Sequence, residues 1–449
     1  YTMKKEFASP RKLLSALLIF FLVSSLALAG CSSKDTSAET KTKDGKTKYT
    51  MWTFVQVHAD YWKDAAETWN KNHPKQQIEL KINVLPFDQM NQKLQVSLSS
   101  GNGAPDIADV EIGQFAKYTK SKNPPFEDIT KEVEPFVPNL VKARTDNYTV
   151  NGKVYGLDYH VGTTLVYYNM DIMNKAGVDP ATIKTWDDYI NAGKIVKEKT
   201  GKYMTSVETN ASAVFTAMVA QQRSDLVKDS KSNLDTPENV KAIQTLQDML
   251  YKDKIAKQAE AGMQDNEEYY AAFNKGEYAS VIMPAWYMSR MVSFMPKLSG
   301  KIHIEGLPVF KDGDLRSAGL GGTATVVTNQ AHDNALAKKF VVESKAGEEG
   351  SIKTWTILGF DPIRSDVWTS PEMEAKNKYT DYFGTDIFKQ MAVLKDEVGT
   401  LSFTNNSYPI ISDEFLTNGM PKIMKKQANV EDTLKTVDAA ADKRIAAGK

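Results

Sequence analysis

Between residues 49 and 110 the spacing of apolar residues changes period four times, and this run constrains the fold more than any other feature of the chain. Tyr49 to Phe54 is an apolar stretch of strand length. Trp62, Ala65, Ala66 and Trp69 then recur at helical spacing until His73-Pro74 stops the helix. Ile78, Leu80, Ile82 and Val84 alternate as a half-buried strand does. Met90, Leu94 and Leu98 return to the helical period, Gly101-Asn-Gly-Ala-Pro105 breaks it, and Asp106 to Val110 supplies a third strand. Strands joined through helices must run parallel, so the run predicts an α/β sheet covered by helices. In open sheets of this kind ligands lie outside the carboxyl ends of the strands, which draws attention to Trp52, Phe54, Asp109 and Glu111.

The same texture continues. Tyr148 to Tyr155 reads as a hairpin turning at Asn151-Gly152, and Gly156 to Gly162 leads into an apolar strand from Thr163 to Asn169. That passage has the look of a crossing between two lobes, which a chain of 449 residues leads one to expect. Thr185-Trp-Asp-Asp188 is a capping box that opens a helix to about Lys199. A strand at Tyr203–Val207 and helices near Ala211–Arg223, Pro237–Tyr251 and Asn266–Lys275 follow. Strands at Tyr278–Met283, Ile302–Leu307 and Ala324–Thr328 and a helix from about Asp333 complete the readable pattern, with no fixed-period repeat.

The amino terminus has a different character. Lys4, Lys5, Arg11 and Lys12 precede an apolar stretch, Leu13 to Ala29, that ends in Leu28-Ala29-Gly30-Cys31. Residues 1–30 read as a secretory signal, and the small residues before the lone cysteine match a bacterial lipobox, in which Cys31 is diacylated. Residues 31–48 contain no large apolar side chain and are expected to form a solvated tether, with the folded body starting near Tyr49. One cysteine excludes an internal disulfide and a thiolate metal cluster. Balanced charge, 56 basic against 56 acidic residues, gives no pull toward nucleic acid.

Familiar catalytic motifs are missing. Gly319-Leu-Gly-Gly-Thr-Ala324 fits a dinucleotide fingerprint in letters, but it leads into a strand where that motif must open a helix. The histidines, 58, 73, 160, 303 and 332, are scattered, so neither a metal nor a cofactor is expected. Asp109, Glu111, Asp158, Glu208 and Asp361 could furnish a glycosidase pair, which requires two carboxyls about 5 to 9 Å apart. Aromatic residues at loop edges (Trp52, Phe54, Tyr159, Trp286, Tyr287, Trp355, Trp368) stand near Asp109, Glu111, His160, Glu208, Asn210, Asp361 and Arg364 in sequence. Sugars present apolar C–H faces ringed by hydroxyls, so flat aromatics beside such polar groups suit them. Each aromatic alone is more often core than platform, and an aromatic content of 10% shows no excess.

The chain resembles the extracellular solute-binding proteins of carbohydrate ABC importers, the maltose-binding-like family. Tyr49-Thr-Met-Trp-Thr-Phe54, Gly103-Ala-Pro-Asp-Ile-Ala-Asp109, Gly152-Lys-Val-Tyr-Gly-Leu157, Tyr168-Asn-Met-Asp171 and Thr185-Trp-Asp-Asp188 carry the resemblance. Pro105–Glu111, Gly156–Thr164, Thr200–Met204, Val207–Asn210, Arg316–Thr323 and Trp355–Arg364 are most similar to the branch whose members bind arabino-oligosaccharides in Gram-positive bacilli. A departure falls at Gln221-Gln-Arg-Ser-Asp-Leu226, where that branch leads one to expect a glycine-rich turn.

The resemblance implies an α/β, two-lobed, periplasmic-binding-protein-like fold of type II, each lobe a mostly parallel sheet flanked by helices, with the cleft at the hinge. Lobe I would comprise 49–160 and 305–365, and lobe II 161–304 and 366–449, with crossings near Asp158–Thr163, His303–Pro308 and Arg364–Pro371. It implies a non-catalytic, monomeric receptor anchored through Cys31 on the extracellular face of the cell membrane. Such a receptor closes on an oligosaccharide, of arabino type or else xylo-, malto- or cello-type, and passes it to permease subunits. A surface glycoside hydrolase or a sugar sensor are the alternatives. Trp52, Phe54, Trp286 and Tyr287 would stack on sugar faces, and Asp109, Glu111, Glu208, Asn210 and Arg364 would meet hydroxyls. Tyr159 and His160 would lie at a crossing, and the Gly321-Gly322-Thr323 backbone would approach the ligand.

Overall fold

The computed structural model describes residues 40–119 and 123–448; the signal segment, Cys31 and most of the tether lie outside the described residues. The first strand, β1 (Thr47–Thr53), begins inside the expected tether. Its parallel register with β2 (Ile78–Val84) starts at Thr47↔Ile78, and Lys41 bridges back to Thr47. Backbone pairing recruits these residues without any large apolar side chain.

Helix α1 (Gln56–Asn72) buries His58, Tyr61, Trp62, Ala65 and Trp69 on one face. Helix α2 (Phe87–Ser100) buries Met90, Leu94 and Leu98 and stops at Gly101, whose φ of 73° allows the left-handed cap. Strand β3 (Ile107–Glu111) pairs parallel with β1. After the Asn151-Gly152 hairpin, with φ of 52° and 79°, comes the short strand β4 (Leu157–Asp158). The chain then passes to a second sheet through β5 (Thr164–Asn169) and helix α3 (Trp186–Thr200), which has the full Thr185/Asp188 capping box. That sheet grows by β6 (Thr205–Val207), α4 (Ala213–Gln221), α5 (Pro237–Tyr251), β7 (Ala256–Gln258), β8 (Ser280–Pro284) and β9 (Ile302–Glu305). Strand β10 (Thr323–Val327) and helices α6 (Asn334–Ala346) and α7 (Glu348–Leu358) return to the first sheet.

The first sheet has the order β2-β1-β3-β10-β4. In the second, β8-β5-β9 form three antiparallel strands, and β6 pairs parallel with β7. A Tyr203↔Tyr278 bridge and bonds from Ala279 N to Tyr203 O and Ser280 N to Met204 O lay β6 against β8. The resulting order, β7-β6-β8-β5-β9, repeats the first. Four strands of each sheet run one way, and β10 and β5 run against them. Both reversed strands directly follow a passage between the sheets, so they enter from the carboxyl ends and run back.

The passages lie together. The first, residues 159–163, pairs with the second through Thr163↔Gly319 and with the third through His160↔Pro362. The second passage is at Gly319–Gly322, later than the expected 303–308. Residues 306–318 still pack on the second sheet: Val309 N bonds Lys184 O, Leu315 N bonds Gln221 O, and Ser317–Ala318 pairs with Val398–Gly399. Beyond α7 the chain is largely helical, ending in α8 (Val430–Ala446), whose Leu434 and Val437 join a core continuous with Trp52, Leu94, Val166 and Met218. Trp355 and Trp368 are core residues, and their indole N–H groups bond Met373 O and Pro362 O.

Candidate functional site

The carboxyl ends of β1, β3 and β4 converge with those of β6 and β8 around the passages. Phe54 follows β1, Glu111 closes β3 opposite Thr323, His160 follows β4, Glu208 follows β6 and Trp286 follows β8. Trp286 connects the two halves. Its ring packs against both the second-sheet cluster and the first-sheet cluster that contains Tyr61 and Phe360, and its Nε1 lies 3.4 Å from Leu320 O. A Cβ on Gly321 would sit 3.0 Å from that nitrogen and 3.8 Å from His160 Cε1, and Gly321 has φ of 71°. Only glycine gives the indole this approach.

Beside Trp286 stands a charged pair. The Arg290 guanidinium lies 5.6 Å from the indole centre, and its Nε donates to Asp265 Oδ1 at 3.3 Å. Asp265 also accepts from the Tyr270 hydroxyl, and Tyr287 OH donates to Gln264 O at 2.7 Å. On the facing rim Phe54 meets Phe87 edge to face at 4.9 Å, and Phe87 is 37% exposed. A half-open aromatic next to a charged pair suits a ligand that carries C–H faces and hydroxyls together.

The carboxyls divide by their donors. Asp109 is fully buried and accepts from Thr53 Oγ1 (2.6 Å), His58 Nδ1 (2.9 Å), Tyr159 OH (3.0 Å) and Thr325 Oγ1 (2.8 Å). Burial by itself would raise its pKa; these bonds and the nearby Lys345 charge more than offset that and hold it below the usual range. Burial lowers His58, so a neutral imidazole donating Nδ1–H to ionised Asp109 is the assignment that fits. Lys345, bonded to Leu157 O and 3.0 Å over the Tyr159 ring, is lowered by burial to about 7 despite Asp109 and Asp158 nearby.

Glu111 and Glu208 have fewer partners. Glu111 caps the short helix Ile112–Phe115 through Gly113 N (2.8 Å), and Glu208 accepts from Ala213 N (2.8 Å) and Gln264 N (3.3 Å). Burial pushes both up to about 7, which these amide bonds only moderate. His160 is buried with no hydrogen bond to its Nδ1, and burial lowers it to about 3, so its ring is neutral.

The expected contact residues therefore separate. Trp286, His160 and Gly321 are brought together at the passages, while Phe54, Glu111 and Glu208 follow or close strands at their carboxyl ends, with His160 and Glu208 buried. Asp109 has its carboxylate enclosed by four protein donors, which takes it out of a ligand's reach. Tyr287 is wholly buried with its hydroxyl engaged, so it offers no ring face. Trp52 is core beneath Lys93, whose ammonium lies 4.3 Å from the ring centre. Tyr159 is buried against His58 and Asp109. Gly322 is covered by Arg144 and Asp158, and Thr323 N is bound to Asp158. Asn210 is exposed but tied to Ala261 O and Lys425. Arg364 grips Asp366 through two bonds and Ala346 O through a third, which places it at the end of α6.

Phe87, Asp265 and Arg290 were not advanced from sequence. Phe87 follows β2 at its carboxyl end, so the rule that drew attention to Phe54 would have found it. The departure at Gln221–Leu226 also has a physical reading: Arg223 takes the left-handed position after α4, φ 57°, that a glycine would ordinarily fill. Gln221 is committed inward, accepting from Trp186 Nε1 and donating to Pro308 O and Leu315 O.

Among the described residues no helix is long and apolar enough to cross a membrane. The family of bacterial extracellular solute-binding proteins matches residues 56–343. An arabinooligosaccharide-binding protein of Bacillus subtilis (strain 168) is 47% identical over 87% of this chain and 90% of its own length. A protein of the same description from Halalkalibacterium halodurans is 41% identical over 87% of this chain and 88% of its own. Among solved structures, the sugar-binding protein MalE of Xanthomonas citri superposes with a TM-score of 0.74 at 18% identity, covering 89% of this chain and 98% of that one. That superposition bears on the fold alone, and it agrees with two lobes of matching strand order around a shared set of passages. By fold, by the extent of the family match and by its relatives, the chain belongs to the bacterial extracellular solute-binding proteins.

Proposed function

We propose that this protein is the receptor of a carbohydrate ABC importer, that its cargo is an arabino-oligosaccharide, and that it passes the sugar to membrane permease subunits. The observation that carries the reading is Trp286, a half-buried indole of one lobe held against the Gly321 backbone that leads into the other. The choice of sugar rests on the relatives that are 47% and 41% identical. Diacylated Cys31 would hold a monomer at the extracellular face of the cell membrane. The lobes would divide as 47–160 with 319–365 and 161–318 with 366–448.

Capture is a hinge motion. A sugar that contacts both lobes favours the closed form by its differential affinity for it. Moving such an equilibrium from 1:99 to 99:1 takes about 5.5 kcal/mol. One stacked ring contributes about 1 kcal/mol beyond its burial, and a hydrogen bond to a charged group about 2 kcal/mol. Trp286, Arg290 and Asp265 belong to one lobe and hold the sugar in the open form too, so only bonds that the other lobe adds on closing, such as that of Glu111, count toward that sum. No covalent step is needed.

A second reading, a surface glycoside hydrolase, would draw on two carboxyls such as Glu111 and Glu208, but burial raises both alike, whereas hydrolysis divides a protonated acid from an ionised partner. One experiment addresses both. The full chain is titrated calorimetrically with arabino-, xylo-, malto- and cello-oligosaccharides, and the sugars are then chromatographed. Tight binding of arabino-oligosaccharides recovered intact is expected. Preference for another sugar would overturn the cargo, and shortened products would overturn the receptor. Trp286→Ala is expected to weaken binding at least tenfold.

A further inference from the structure

The three passages between the lobes are stitched by buried polar groups. Asp361 accepts Gly162 N (3.2 Å) and Thr163 N (2.8 Å), which ties the third passage to the first. Leu320 N bonds Gly162 O, which ties the second to the first. Arg144 belongs to none of the passages; it sits on the short helix Lys142–Asp146. Its guanidinium is nevertheless 1% exposed, and Nη2 donates both to Asp158 Oδ2 (2.6 Å), at the head of the first passage, and to Gly321 O (2.7 Å), within the second. Asp158 Oδ1 in turn accepts Thr323 N (3.0 Å), where the second passage becomes β10.

The second passage is shaped around this group. A Cβ on Gly322 would stand 2.5 Å from Arg144 Nη2 and 2.6 Å from Asp158 Oδ2, and a Cβ on Gly319 3.4 Å from Nη1. Glycines therefore stand where the guanidinium needs room. Nε is buried without a hydrogen-bond partner in the protein, and the two bonds of Nη2 are those that join the passages.

We propose that Arg144 is a positioning residue for sugar capture: by clamping the first and second passages to one another it sets the balance between open and closed lobes, without touching the ligand. The inference rests on the receptor reading above. Hinge closure is absorbed as backbone rotation in a few passage residues. Both bonds leave one nitrogen, Nη2, whose two N–H directions are fixed in the guanidinium plane, and this limits which rotations are available; a lysine ammonium, a point charge on a flexible stem, does not hold that fixed angle. The population of the closure-competent form multiplies the apparent affinity for every ligand alike. A change in the clamp therefore scales binding of all sugars by one factor, whereas a residue that touches sugar alters the ratios among them.

The test uses the full chain carrying Arg144→Lys, which keeps a cation beside Asp158, and Arg144→Met, which leaves that carboxylate unpaired. Arabinotriose and longer arabino-oligosaccharides are titrated into each, thermal midpoints are recorded, and X-ray scattering is measured without sugar. Arg144→Lys is expected to melt within a few degrees of the natural protein, to raise Kd at least tenfold by the same factor for each sugar, and to change the ligand-free scattering curve. Unchanged Kd values, or a changed order of preference among sugars, would overturn the proposal. Arg144→Met is expected to melt lower, and equal melting of all three proteins would also count against the clamp. If the natural protein binds none of the sugars, the receptor reading fails separately; the ligand-free scattering then decides, and identical curves for the natural and Arg144→Lys proteins reject the clamp.

Discussion

The two lobes share a strand order, yet they handle buried carboxylates in opposite ways. In the first, Asp109 lies within β3, where it meets four side-chain donors from four other segments and stays ionised. In the second, Glu208 lies just beyond β6, where two backbone amides reach it, and burial raises it to about 7. Both are nearly inaccessible to water. Position relative to the strand end goes with the difference: within β3 Asp109 meets side chains from the adjacent strands, a helix and a passage, and beyond β6 Glu208 meets only the backbone amides of Ala213, which opens α4, and Gln264. Charge at the first site is structural. At the second, burial favours the neutral carboxyl.

The largest expected effect breaks the first half of this contrast. Asp109→Ala leaves Thr53, His58, Tyr159 and Thr325 facing a void, and loss of a buried, paired charge costs about 3–5 kcal/mol, read by urea unfolding. Glu208→Gln keeps the shape but turns an amide NH2 toward one of the two backbone N–H groups, and is expected to cost about 1–3 kcal/mol, less than Asp109→Ala. Equal losses would mean that the two sites do not differ.

Lys345 sharpens the same side. Its folded pKa of about 7 lies below its ordinary 10.5, so between those values the unfolded chain holds more protons and stability rises with pH. Lys345→Met is expected to remove that rise, measured as urea midpoints from pH 7 to 10. Glu208 has the opposite sign. Its folded pKa of about 7 exceeds its ordinary 4.5, so the folded state holds more protons and stability falls as pH rises through that window. Glu208→Gln is therefore expected to gain on the natural protein as pH rises from 5 to 8; a constant difference would show that Glu208 is already ionised at pH 5. The smallest effect is at the rim: Phe87→Ala is expected to change stability by less than about 1 kcal/mol and to weaken sugar binding severalfold, measured by calorimetry.

Neighbours within a few residues determined what could be read directly. The switches of apolar period placed β1, α1, β2, α2 and β3, the Thr185/Asp188 box opened α3, and Asn151-Gly152 turned its hairpin, because each depends on contacts closed within one turn or one strand pair. Sequence pattern also brought Phe54, Glu111, Glu208 and Trp286 forward, since all four follow or close strands. Tertiary structure alone decided which candidates face outward. Asp109 and Glu111 are two residues apart on one strand, and Asp109 becomes structural through His58 and Thr325, which are 51 and 216 positions away. Arg364 has a local partner in Asp366, two residues on, but its bond to Ala346 O at the end of α6 came only with folding, and Arg144 drew no attention until Asp158 and Gly321 came to share it. Which strands reverse was likewise settled by where the chain crosses between lobes. Periodicity reports which face of an element is buried, whereas the compensation of a charge is fixed by distant segments that meet it only after folding.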